Sequence, residues 1–163
     1  MSAKTGMPLT QLKIAVLAWG SLYWNRGVLN AKGRWRRDGP RLPIEFARIS
    51  QDGRLTLVIV PRRRLIRTYW APSGCADLDS AIGNLAKREG SSLANIGYML
   101  ATGEHRTNFP SCAQVLHRWV KLHRMEAVIW TDLESNFLNR LRRPFSMDAA
   151  IQYLKTLDGA VKN

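Results

Sequence analysis

The stretch Ile14-Ala15-Val16-Leu17-Ala18-Trp19-Gly20-Ser21-Leu22 decides how the chain is read. Its first six residues are continuously apolar, which suits a strand buried on both faces rather than one half exposed. The run is far shorter than the roughly 20 residues of a bilayer span, and no small-residue cleavage site follows it. Neither membrane insertion nor secretion is expected, and the protein is read as cytoplasmic. Gly20-Ser21 then turns the chain sharply.

Reading outward, residues 25–41 collect Asn25, Gly27, Asn30, Gly33, Asp38, Gly39 and Pro40, a loop of turn formers. Residues 42–49 alternate with period two, placing Ile44, Phe46 and Arg48 on one face. Gln51-Asp52-Gly53 offers a turn into residues 54–60, so the pair reads as a hairpin. A short strand over Ile66–Trp70 precedes a helix capped by Asp77, whose stripe Leu78, Ala81, Ile82, Leu85 runs on to Glu89 before Gly90. A second helix is expected over Ser111–Arg124 through Val115, Leu116, Trp119 and Leu122. A buried strand follows at Ala127–Trp130, and a last helix capped by Ser146 carries the stripe Ile151, Leu154 and Leu157. These elements do not alternate as a doubly wound sheet requires. The expected fold is α+β: a small mixed β-barrel, or a strongly curled mixed sheet, with surrounding helices. Residues 1–11 read as a flexible arm and residues 12–163 as a single domain.

With 163 residues, 45% of them hydrophobic, the chain can bury a core without disulfides or a structural metal. Cys75 and Cys112 are far apart and show no ligand spacing with His105, His117 or His123, so no metal is expected. The net charge of +13 favours anionic partners. Its clusters are Arg34, Arg36 and Arg37 around Trp35; Arg62, Arg63 and Arg64; and Arg140, Arg142 and Arg143.

Two features carry chemistry. Gly20-Ser21 after a buried strand sets consecutive backbone N–H groups at a strand end, an arrangement that can cradle an anion or a developing oxyanion. Glu89 lies on an apolar stripe near the negative end of its helix, where desolvation and the dipole both oppose a bare carboxylate, so its pKa is expected to rise. That tuning suits a general acid or base. Pairing with Arg88, Lys87 or another arginine is the competing structural explanation.

The segment Leu17-Ala18-Trp19-Gly20-Ser21-Leu22-Tyr23-Trp24-Asn25, followed by Ala86-Lys87-Arg88-Glu89-Gly90, resembles the gamma-glutamylcyclotransferase family, especially its glutathione-specific, cation-transport-regulator-like branch. There an apolar strand ends in Tyr-Gly-Ser-Leu and a later helix delivers the glutamate. The resemblance implies that Trp19, Gly20, Ser21 and Leu22 bind the γ-glutamyl group of a small substrate. Glu89 is then the acid/base residue in a cofactor-free intramolecular aminolysis that releases 5-oxoproline. Trp19 stands where the family carries tyrosine, which removes a hydroxyl and adds bulk at the pocket mouth. Two other readings compete: a nucleic-acid-binding module with Trp35 as a stacking platform among arginines, and a catalytically silent member of the same fold that binds a small ligand or a protein.

Overall fold

The computed structural model describes residues 11–160; most of the expected N-terminal arm lies outside them. In chain order the elements are β1 (Ile14–Ala18), α1 (Ser21–Trp24), β2 (Arg41–Ile49), β3 (Leu55–Ile59), β4 (Leu65–Arg67) and β5 (Tyr69–Pro72). Then come α2 (Leu78–Glu89), β6 (Ile96–Leu100), β7 (His105–Arg106), α3 (Ala113–Leu122), β8 (Ala127–Thr131), α4 (Phe137–Leu141) and α5 (Met147–Ala160).

The fold is mixed α+β with two sheets, ordered β5-β1-β8-β6-β7 and β3-β2-β4. Neither closes on itself, so of the two forms expected, barrel or curled mixed sheet, the closed barrel is not formed among the described residues. β1 is an interior strand: it pairs parallel with β8 and antiparallel with β5. Its five residues are all buried, as a continuously apolar run demands. Ala15 and Leu17 join a core with Trp70, Leu116, Trp119 and Trp130, while Ile14, Val16 and Ala18 join a second core with Ala81, Ile82 and Leu85 of α2.

The expected cap of α2 is present: Asp77 accepts from the Ser80 N–H, and Gly90 ends the helix in the left-handed region at φ 60°. The hairpin is present too, with one correction. A register shift between Phe46 and Arg48 reverses the alternation, so Ile44 is buried while Phe46 is 51% exposed and Ala47 and Ile49 point inward. Two helical stripes are also rotated from expectation. On α3 the buried residues are Leu116, Trp119 and Val120, leaving Val115 and Leu122 exposed. On α5, Ser146 does cap the helix, but Ala149 and Ala150 are the buried residues and Ile151, Leu154 and Leu157 remain exposed. Small residues let α5 approach Ile49 and Phe137 closely, and that contact outweighs the larger side chains.

Candidate functional site

Gly20 ends β1 at φ 60°, ψ −135°, a combination that residues with a Cβ avoid. A Cβ there would meet Leu57 at 3.6 Å, an ordinary contact, so the backbone and not crowding calls for glycine. In α1 the Tyr23 N–H donates to the Gly20 carbonyl (3.1 Å) and the Asn25 N–H to the Ser21 carbonyl (2.9 Å). Among the described residues none accepts from the Ser21 or Leu22 N–H. Ser21 is exposed and Leu22 is buried in the second core. The half-buried Trp19 donates its indole N–H to the Leu57 carbonyl at 3.1 Å, pinning the turn to the β2–β3 hairpin.

Glu89 closes α2 with its side chain 19% exposed, and Arg88, 13% exposed, donates from Nη1 to Glu89 Oε1 at 3.1 Å. Burial raises the Glu89 pKa above its ordinary value, and the charge and hydrogen bond of Arg88 oppose that rise. The competing sequence explanation, pairing with Arg88, is therefore realised together with the raised pKa. Arg88 reaches further: its Nη2 donates to the Asn25 carbonyl at 2.5 Å, and its stem lies beside Gly27. One arginine thus ties the end of α2 to the segment that follows the Gly20 turn. The two sequence patches share a neighbourhood through Arg88 and Asn25, with no hydrogen bond between Glu89 and residues 19–22. Arg88 was visible in the sequence only as a pairing option; its reach to Asn25 depends on a long-range packing contact.

Other groups that resemble catalytic sets are occupied structurally. His123 places Nδ1 3.1 Å from the Trp119 carbonyl and Nε2 3.2 Å from Asp38 Oδ2, so neither ring nitrogen is free. The Trp70 indole N–H holds the Asp38 carboxyl below its usual range; burial opposes this and His123 assists it. The buried Asp132 accepts from Trp130 Nε1 (2.7 Å), Thr107 Oγ1 (2.9 Å) and the Asn108 N–H (2.5 Å), tying residues 107–108 to β8. Cys112 is a core thiol whose pKa burial pushes up. Trp35 is not an open stacking platform, because the Arg26 guanidinium lies 4.5 Å over its ring and its indole N–H is buried without a partner.

Among the described residues, open surface grooves run along Leu141, Arg143, Gln152 and Tyr153 (about 410 Å³) and along Gln114, His117 and Arg118 (about 340 Å³). Neither is lined by the Gly20 turn or Glu89. Both are shallow and gather no convergent acid, base or nucleophile, so the Gly20–Glu89 neighbourhood is the stronger candidate. Compared with protein families, with curated proteins and with solved structures, the chain matches none.

Proposed function

We propose that the chain is a gamma-glutamylcyclotransferase-like enzyme that cyclises the γ-glutamyl group of a small amine or peptide to 5-oxoproline. The observation that carries this reading is the shielded carboxylate of Glu89, raised in pKa and linked through Arg88 to the segment behind the Gly20 turn. In the reaction Glu89 takes a proton from the substrate's α-ammonium. The freed amine attacks the γ-carbonyl, a new N–C bond forms, and the old amide bond breaks as the leaving amine recovers the proton. The unengaged N–H groups of Ser21 and Leu22 are the donors at hand for the oxyanion or the substrate carboxylate. Holding amine and carbonyl in contact supplies much of the acceleration.

The test is 5-oxoproline release from γ-glutamyl dipeptides, γ-glutamyl amines and glutathione, comparing wild type with Glu89→Gln. Release by wild type that falls about 10²-fold or more in the nearly isosteric variant supports the assignment. Equal release by both removes Glu89 from the chemistry. Absence of release by folded wild type overturns the enzyme reading in favour of a silent ligand-binding member, a role suited to a Glu89 already engaged by Arg88.

A further inference from the structure

The arginine clusters at 34–37 and 62–64 are separate in the sequence, and the fold joins them. Residues 31–43 run antiparallel to residues 65–73. Ala31 bridges Ser73, the Lys32 N–H donates to the Pro72 carbonyl, and Arg36 and Trp70 exchange both backbone hydrogen bonds, at 2.7 and 3.0 Å. Further along, Arg41 stands directly opposite Arg67. The two segments approach so closely that a Cβ on Gly39 would lie 2.5 Å from the Thr68 carbonyl oxygen.

This two-stranded ribbon is strongly cationic. Lys32, Arg34, Arg36, Arg37 and Arg41 lie on one segment and Arg67 on the other, while Arg62, Arg63 and Arg64 form the turn leading into it; all but Arg63 are exposed. The one carboxylate within these segments is Asp38, which accepts from Trp70 and His123. Among the described residues none of the ribbon cations forms a salt bridge.

Protecting a sheet edge takes only a charge or two; here the charges are numerous and held against local preference. Like charges directly opposite in an antiparallel pair, as at Arg41 and Arg67, are unfavourable. Arg62 adopts φ 67°, a left-handed backbone that glycine or asparagine takes more easily.

We infer that this ribbon binds the backbone of duplex nucleic acid, contacting phosphates without reading bases. Residues 65–73 extend over about 30 Å at ~3.3 Å per residue, and a duplex presents one phosphate charge about every 1.7 Å of its axis. All the ribbon cations but Lys32 are arginines, whose planar forks fit phosphate oxygens. Arg36 is held in place over the Trp70 ring at 4.5 Å. Base stacking is not on offer: Trp70 is buried, Arg26 roofs Trp35, and Tyr69 already stacks on Tyr23. A lipid surface fits less well, since Leu65 is the one exposed large apolar side chain on these segments.

The experiment is fluorescence anisotropy of labelled DNA and RNA duplexes of about 20 base pairs, long enough to span the ribbon, titrated with the full chain across a salt series. One variant carries Arg34, Arg37, Arg62 and Arg64→Gln, exposed side chains that make no hydrogen bond among the described residues. A control of equal net charge carries Arg118, Lys121, Arg140 and Lys155→Gln, exposed residues outside the two ribbon segments. Wild type should bind either duplex with a steep salt dependence. The ribbon variant should lose roughly tenfold or more in affinity, and its salt slope should shrink by about 0.9 for each phosphate contact removed, while the control stays near wild type. Equal losses in both variants, or no binding at low salt, overturn the proposal. Poly-glutamate competing as well as duplex at matched charge also overturns it and makes an acidic polypeptide the partner.

Discussion

At the scale of single residues, the conflict at Glu89 is between burial, which favours the neutral acid, and Arg88, which favours the ion; burial wins. The folded pKa therefore lies above the ordinary value of 4.5, and the folded state binds more protons than the unfolded chain between those two values. Stability contributed by this group is fully present below the unfolded pKa and is lost as pH rises through the folded one. Glu89→Gln removes that titration. Denaturant unfolding of wild type and variant at a series of pH values should show the variant gaining relative to wild type as pH climbs from 4.5 towards neutrality. A difference that stays flat across that window contradicts the raised pKa. The burial of Glu89 was legible in the sequence because a carboxylate on an apolar stripe is a local signal. Its distance from the Gly20 turn was not, because that contact runs through Asn25 and Arg88 across more than sixty residues of chain.

At the scale of elements, local signals succeeded where the chain itself supplies the cap or the period. β1, the β2–β3 hairpin, α2 with Asp77 and Gly90, and β8 all appear close to where the sequence set them. Periodicity failed where the contact partner chose the face. A shift in β2 at Phe46 is invisible to an alternation count, and α5 turns Ala149 and Ala150, with Tyr153 beside them, onto Ile49 and Phe137, a choice of face that the helix period alone does not contain. β6 was not anticipated: Gly97 interrupts its apolar run, and that glycine stands opposite Trp130, where a Cβ would lie 2.5 Å from the indole. The rotated α5 has a measurable consequence. Ile151→Ser and Leu154→Ser, at side chains 45% exposed, should each change unfolding free energy by no more than about 1 kcal/mol, whereas Phe137→Ala, fully buried, should cost about 3–5 kcal/mol. Losses of core size at Ile151 or Leu154 would mean that the stripe read from the sequence is the buried one after all.

At the scale of the whole molecule, the net charge of +13 was plain from composition, but its distribution was not, since the pairing of Arg41 with Arg67 depends on strand register. Among the described residues only Arg54 and Arg88 pair with a carboxylate, together with His123 on Asp38. The rest of the positive charge repels itself across a body with a radius of gyration of about 15 Å for this length. The Debye length is about 30 Å at 0.01 M salt, so every cation then feels the others; at 0.15 M it is about 8 Å and most of that repulsion is screened. Self-repulsion opposes the compact state. The melting temperature should therefore rise between these two salt concentrations, each kcal/mol of relief adding about 2–4 °C for a domain of this size. Duplex binding by the ribbon should weaken over the same range, because counterion release favours low salt. The two trends have opposite signs and arise from the same uncompensated arginines, so thermal melts with and without duplex should converge as salt increases. A melting temperature that falls with salt in the free protein would show that favourable ion pairs, not repulsion, dominate its electrostatics.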